Sequence, residues 1–287
     1  MKKILIHLES EPHASVFDQI TAYDAGVDQV IAYGGVKPDE AVNLVYGAMF
    51  TRGGENLKNS AIFIGGENVP AAEKLMKKTL GAFFGDTRVS VMFDPNGSNT
   101  TAAAIVHKIA HGRDLKGKKA LILAGTGPVG IREAVLLTKE GVEVFISSRK
   151  LERAQEAAKH IMESHGVELT PLQIDGQEDI RKTLAQGINI VSCCGAPGVQ
   201  MLDMATWTSA PALEIITDAN AVVPLGVEGI KVTDNGREHE GKFLYGPIAV
   251  GNLKMKVHRA SVRALFESNN KVLDFDSIYD IARGMEL

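Results

Sequence analysis

Three glycines, Gly125, Gly127 and Gly130, stand in the stretch AGTGPVG at residues 124–130, and no other feature constrains this chain as much. An apolar run, Lys119 to Ala124, precedes them, and a helix-patterned stretch, Pro128 to Lys139, follows. G-x-G-x-x-G between a strand and a helix is the fingerprint of a dinucleotide-binding βαβ unit. Gly125 permits the tight turn, Gly127 lets the backbone approach a pyrophosphate, and Gly130 lets the helix lie close to the strand. The helix start, around Thr126, Pro128 and Val129, then offers a positive dipole end to phosphates, together with the free N–H groups of its residues other than Pro128. The bland alternative is a glycine-rich turn that holds no ligand.

The next strand indicates which dinucleotide. NAD enzymes usually place an acid about 20 residues beyond the first glycine, where it accepts from the ribose 2′-hydroxyl. Here the apolar run Val142 to Ile146 ends in Ser147, Ser148, Arg149 and Lys150. No carboxylate is present to repel a 2′-phosphate. Two hydroxyls can donate to it and a planar guanidinium can bind it in two places. The expected cofactor is NADP. The competing reading makes Arg149 and Lys150 solvated charges at the start of a helix.

At 287 residues the chain fits one large domain or two ordinary ones, and 45% hydrophobic residues suffice for full cores. Net charge is −4 with no basic stripe, so no nucleic-acid partner is expected. No apolar run is long enough to span a membrane, and the start, MKKILIHL, reads as a first strand rather than a signal peptide. Cys193 and Cys194 are adjacent, too close for an ordinary disulfide and too few for a metal cluster. No metal is expected, and the expected compartment is the cytoplasm.

Strand-like runs alternate with helical patterns throughout. Candidate strands are Lys3–Leu8, Gln29–Tyr33, Ser60–Ile64 and Val89–Phe93, with helices near Ser15–Ala25, Pro38–Phe50 and Ala71–Phe84. A second series follows at Ala120–Leu123, Val142–Ile146, Glu168–Leu172, Ile188–Val191 and Ala212–Thr217. Such spacing means βαβ units and parallel sheets. The fold class is α/β, with two α/β domains, the second Rossmann-like, and a cleft between them. Because the fingerprint marks the first strand of its domain, residues 1–105 form a separate unit and 106–250 the dinucleotide domain. Asn99 to His111 is the connecting helix, and residues 251–287 are helical and cross back to the first domain.

Several constellations could carry chemistry. Asp94 to Thr101, DPNGSNTT, follows a strand, where ligands of open α/β sheets bind. It reads equally as a turn with a Ser98 or Asn99 helix cap. Asp18 falls early in the first helix, where it either faces the end of the sheet or merely suits the helix dipole. Tyr33 and Lys37 match the Tyr-x-x-x-Lys spacing, but Gly34, Gly35 and Pro38 make the segment a loop, so it is rejected as a helical catalytic pair. Cys194, Gly195 and Ala196 follow a strand where the nicotinamide end of a cofactor would lie, and Asp218 and Asn220 end another. The cysteines themselves read as packing residues. Lys254 and Lys256 read as ligand-binding or as solvated helix lysines.

Taken together the segments resemble the NADP-dependent methylene-tetrahydromethanopterin dehydrogenases of methylotrophic bacteria. The resemblance is carried by SVFD (15–18), YDAG (23–26), FTRGG (50–54), AIFIGG (61–66) and DPNGSNTTAAA (94–104). It continues through AGTGPVG (124–130), SRK (148–150), DANAVVPLG (218–226) and GNLKMKVHR (251–259). It implies a pterin-binding first domain, an NADP domain, a homotrimer, and reversible oxidation of methylene-tetrahydromethanopterin to the methenyl cation by hydride transfer. Methylene-tetrahydrofolate is an alternative substrate. Hydride loss leaves a cation stabilised by two flanking nitrogens, so no general base is needed. Such a site needs close approach of the reacting atoms and nearby carboxylates.

Asp18 and Lys256 are the candidates for the reacting centre. Asp94, Asn96, Ser98, Asn99, Thr100 and Lys254 are candidates for the substrate. A lysine at the carbon itself would oppose the cation, so Lys254 or Lys256 is expected on a carbonyl or phosphate. Two other readings remain: a bifunctional methylene-tetrahydrofolate dehydrogenase and cyclohydrolase, and a non-catalytic NADPH sensor.

Overall fold

The first strand, β1 (Ile4–Leu8), leads through helix α1 (Val16–Asp24) to β2 (Gln29–Tyr33), and then through α2 (Pro38–Phe50) to β3 (Ser60–Ile64). Helix α3 (Val69–Gly81) and strand β4 (Ser90–Phe93) follow, and α4 (Ser98–Ala110) leaves the sheet. The computed structural model describes residues 1–286. These divide into two compact units, Met1–Thr100 with Lys254–Glu286, and Thr101–Leu253. The divisions fall inside helices that carry the chain from one unit to the other, so no linker of turn residues marks them.

Helix starts follow local chemistry. The Ser15 hydroxyl accepts from the Asp18 N–H at 3.2 Å, and the Asn68 side chain accepts from Ala71 at 3.1 Å. Each cap satisfies a donor that the helix itself leaves free. β3 and β4 are buried at every position, as expected of parallel strands covered on both faces. Their side chains meet Val45, Met49 and Leu75 in one apolar cluster.

The second unit begins with β5 (Lys119–Leu123), α5 (Pro128–Lys139), β6 (Glu143–Ser148), α6 (Leu151–His165) and β7 (Thr170–Gln173). It continues with α7 (Gln177–Leu184), β8 (Ile190–Cys193), α8 (Met204–Thr208) and β9 (Ile215–Asp218). A hairpin of β10 (Asn235–His239) and β11 (Lys242–Tyr245) closes this sheet. The chain then returns through α9 (Pro247–Ala264), β12 (Val272–Leu273) and α10 (Phe275–Arg283).

The first sheet has the order β12-β4-β3-β1-β2, all parallel. The second has the order β10-β11-β9-β8-β5-β6-β7, parallel except for the hairpin. Without β10 this is the 3-2-1-4-5-6 order of a Rossmann sheet, and the first sheet has the 2-1-3-4-5 order of flavodoxin-like folds. Each order reverses beside its first strand, between β1 and β3 and between β5 and β8. Ligands of such sheets bind outside the carboxyl ends of the strands at that reversal.

The hairpin was not expected from the sequence. Its strands are largely polar, and its two-residue turn, Glu240-Gly241, has φ of 50° and 70°. Two positive φ values are the turn geometry that matches the twist of paired strands. β12 is only two residues long, and joins the first sheet by pairing Val272 with Val91 and Leu273 with Met92.

Gly130 is held closely against the turn before it. A Cβ built there would lie 2.6 Å from both the Cα and the carbonyl oxygen of Gly125. Gly130→Ala is therefore expected to lower stability by about 1–3 kcal/mol through overpacking. Urea unfolding would show this as a lower midpoint, and an unchanged midpoint would contradict the contact.

Candidate functional site

In the first unit, β1 delivers His7 and Glu9 to the reversal point. Both are buried, and His7 Nε2 lies 2.7 Å from Glu9 Oε1. Phe63 of β3 meets His7 edge-on at 5.0 Å between centroids, and stacks on His258 of α9 at 5.5 Å. Asp18, in the first turn of α1, offers a carboxylate oxygen within 4.8 Å of a ring nitrogen of His7 and a carboxylate oxygen of Glu9. Burial and then the neighbouring Asp94 push the Asp18 carboxyl up to about 6, against the pull of Ser15, His7 and Lys254. Lys254 Nζ lies 4.4 Å from the centre of the Phe17 ring, a cation–π contact.

The polar loop after β4 is largely bonded to itself. Asp94 is buried, and its carboxylate accepts from the Asn99 and Thr100 N–H groups at 2.9 and 3.0 Å and from the Thr100 hydroxyl at 2.7 Å. The Ser98 hydroxyl donates to Pro95 O at 2.6 Å, and the Asn99 amide to Phe93 O at 2.5 Å. These four side chains, expected to bind substrate, secure the start of α4. Asn96 differs: it is exposed, with φ of 54°. Lys254 and His258 are one helical turn apart and share a face of α9. Lys256 is exposed and, two residues on, is turned about 200° from Lys254. Tyr33 ends β2 and Lys37 is the N-cap of α2, so the two do not share a helix.

In the second unit, the glycine turn opens α5 with Gly127 as N-cap and Pro128 at the first helical position. Apart from its adjoining residues, nothing comes closer than 3.9 Å to a Cβ built on Gly127, so the space above this turn is open to a ligand's backbone contacts. Thr126, Pro128 and Val129 are half-buried around it. Beside the turn lies a cavity of about 250 Å³, whose lining includes Thr126, Ser148, Arg149, Arg153, Gly195 and Ala196. The lining holds two arginines and no carboxylate, which suits a phosphorylated ribose. Arg149 and Lys150 are exposed, and the Lys150 N–H donates to the Ser148 hydroxyl at 3.4 Å.

Three expected cofactor contacts have other partners. Ser147 also lines the cavity, but it is 1% exposed and its hydroxyl donates to Ile122 O at 3.1 Å, so it ties β6 to β5. Asp218 is fully buried, accepting from Asn220 N at 2.9 Å and Val227 N at 3.0 Å. The Asn220 amide donates to Pro224 O at 3.1 Å, and its oxygen accepts from Val222 N at 2.9 Å. Both side chains fold the loop after β9.

Residues 16–96 match the family profile described as methylene-tetrahydromethanopterin dehydrogenase, N-terminal. Over 286 residues, 99% of each chain, the protein is 43% identical to the "Bifunctional protein MdtA" of Methylorubrum extorquens AM1. The NAD(P)-dependent methylenetetrahydromethanopterin dehydrogenase of the same organism is 31% identical over 98% of each chain. The chain belongs to the methylene-tetrahydromethanopterin dehydrogenase family. Shikimate 5-dehydrogenase from Listeria monocytogenes, solved with shikimate and NAD, shares the fold at a TM-score of 0.53. It is 16% identical, with 98% of this chain and 96% of that one covered.

Sequence reasoning missed several groups that lie in or near these two clusters of residues. Arg153 lies four residues beyond Arg149, in the first turn of α6, a spacing that was open to view. His258 lies one turn beyond Lys254 within the same quoted motif. Glu133 gave less signal, being one acid in an otherwise apolar helix face. It is fully buried, and its carboxyl accepts from Cys194 Sγ at 3.2 Å while Oε1 has no partner. Cys193 is buried and Cys194 half-buried: burial pushes the Cys193 thiol up to about 12, and burial with the neighbouring Glu133 holds Cys194 well above its usual range.

Burial raises Glu133 from 4.5 to about 7, with Ser192 and Cys194 opposing the shift. The folded state therefore holds a proton that the unfolded state releases between about pH 4.5 and 7, and this contribution to stability is lost as pH rises through that window. Glu133→Gln should raise stability relative to wild type by about 3 kcal/mol more at pH 8 than at pH 4, at 1.36 kcal/mol per unit. Urea midpoints at the two pH values measure it, and an equal change at both would contradict a protonated Glu133.

Proposed function

We propose that this protein oxidises the methylene group of a tetrahydropterin carrier, methylene-tetrahydromethanopterin or its folate counterpart, to the methenyl cation with NADP. The observation that carries the reading is the pairing of two sites on one chain of this family. One is the cluster of buried His7 and Glu9 with half-buried Asp18 at the β1/β3 reversal, and the other a carboxylate-free, arginine-lined cavity at the β5/β8 reversal.

The cofactor, when bound, supplies the hydride acceptor. The chain's own residues bind and orient. The open N-terminus of α5 and the bare Gly127 suit a pyrophosphate, and Arg149 with Arg153 suits a 2′-phosphate. On the substrate side, the aminopyrimidine edge of a pterin presents donors that match carboxylates. Loss of hydride leaves positive charge on a carbon between two nitrogens. A fixed carboxylate placed where that charge develops lowers the barrier. Asp18 fills this role in its ionised form, which dominates above about pH 6. Asn96 is the exposed loop side chain available to the substrate, and Lys254 or Lys256 suits a carbonyl or phosphate of it.

The same reading includes a homo-oligomer, a trimer by resemblance. In support, Val16, Ile20 and Tyr23 are exposed at helical spacing on α1, and Ile31 and Tyr33 are exposed on the edge strand β2. No helix among the described residues is long and apolar enough to cross a membrane.

Purified protein should reduce NADP, followed at 340 nm, with methylene-tetrahydromethanopterin or methylene-tetrahydrofolate, and activity with neither would overturn the reading. Arg149→Ala should raise the KM for NADP about tenfold or more, the loss of one charge-assisted contact, and leave NAD use nearly unchanged. Equal loss with both cofactors would assign Arg149 to the fold or the pyrophosphate.

A further inference from the structure

His258 is buried and stacked on Phe63 with 20° between the ring planes, and neither of its nitrogens has a hydrogen-bond partner. A buried donor without a partner costs free energy, so its placement calls for a reason. Nδ1 lies 3.7 Å from Asp94 Oδ2 and 4.0 Å from Asp18 Oδ1. Both distances exceed a hydrogen bond by about an ångström or less. Asp94 already accepts three hydrogen bonds from the start of α4. Asp18 is partly open, with 15% of its side chain exposed, and is the carboxylate that can move.

We infer that His258 is a positioning residue for Asp18: carrying its proton on Nδ1, it presents an N–H that orients the Asp18 carboxylate and favours its ionised form. The inference rests on the dehydrogenase reading for its consequence in turnover, and on geometry alone for its effect on Asp18.

The groups that face the imidazole are His7 from β1, Asp18 from α1, Asp94 from the loop after β4, and Lys254 and Arg259 from α9. Burial, with Lys254, His7 and Arg259 adding to it and Asp94 opposing, pushes His258 down to about 4. The ring is therefore neutral at physiological pH and acts through a dipole, not a charge. Two carboxylates on the Nδ1 side select the tautomer with its proton there, because a lone pair aimed at them would be repelled. Phe63 fixes the ring plane, so the N–H direction is set before substrate arrives. A short movement of Asp18 towards the ring then completes the bond.

Three measurements test this. Nitrogen-15 shifts of His258 in the wild-type protein should report the Nδ1–H tautomer. The carboxyl carbon of Asp18, followed by NMR against pH without substrate, should titrate about one unit higher in His258→Phe, which keeps the stack and removes the donor. His258→Asn, which restores an N–H near Nδ1, should bring it back towards wild type. In turnover, His258→Phe should move the pH midpoint of kcat/KM upward and lower the rate several-fold at pH 6.5. In an Asp18→Asn background it should change the rate less than about twofold.

An Nε2–H tautomer, an unmoved Asp18 midpoint in folded His258→Phe, or equal loss in both backgrounds would overturn the inference. If neither methylene pterin is turned over, the functional reading fails, while the Asp18 titration still decides the role of His258.

Discussion

Each sheet of this protein grows in both directions from its first strand, so that β1 is flanked by β2 and β3, and β5 by β6 and β8. Crossovers between parallel strands are nearly always right-handed, so a chain that reverses its direction of growth must send its helices to opposite faces. The loops that follow the two central strands then diverge. In the first unit the crevice receives Glu9, Asp18 and the Asp94 loop. In the second it receives the glycine turn and the Cys194–Ala196 segment. The chemistry of each site follows from which residues those few loops carry.

Two of the buried carboxylates near these crevices serve the backbone. Asp94 secures the first turn of α4 and Asp218 folds the loop after β9, each by accepting N–H groups that would otherwise be unpaired. Asp18 and Glu133 are different, since burial raises both and neither is held by several backbone donors. Glu133 lies in the packed interior of its unit, where a protonated carboxyl is the lower-energy form. Asp18 keeps contact with solvent, and its ionisation near pH 6 leaves it charged at neutral pH. A carboxylate that is charged, partly desolvated and near a neutral imidazole is well matched to a cationic product.

The strands were legible because parallel strands covered on both faces read as unbroken apolar runs: β3, β4, β8 and β9 are buried at every residue. The β10–β11 hairpin was not, because an edge pair needs no apolar face and its turn is marked only by Glu240-Gly241. The site was legible where local sequence determines geometry, as at the turn from Gly125 to Gly130. It was illegible where partners are distant. Nothing in the Asp94–Thr101 segment shows that its polar groups bond to one another rather than to a ligand. His258 meets Asp18 across some 240 positions of sequence, and only the return of α9 to the first unit brings them together.

In the proposed reaction the substrate carbon loses hydride directly, with carboxylates favouring the cation and no side chain removing a proton. The measurement that tests this most directly is a turnover of methylene-tetrahydromethanopterin carrying deuterium on the methylene carbon, in ordinary water with NADP. Deuterium recovered on the reduced nicotinamide, with none in the solvent, is the result predicted. Label released to water would mean that a protein group takes a proton from that carbon, and would contradict the account.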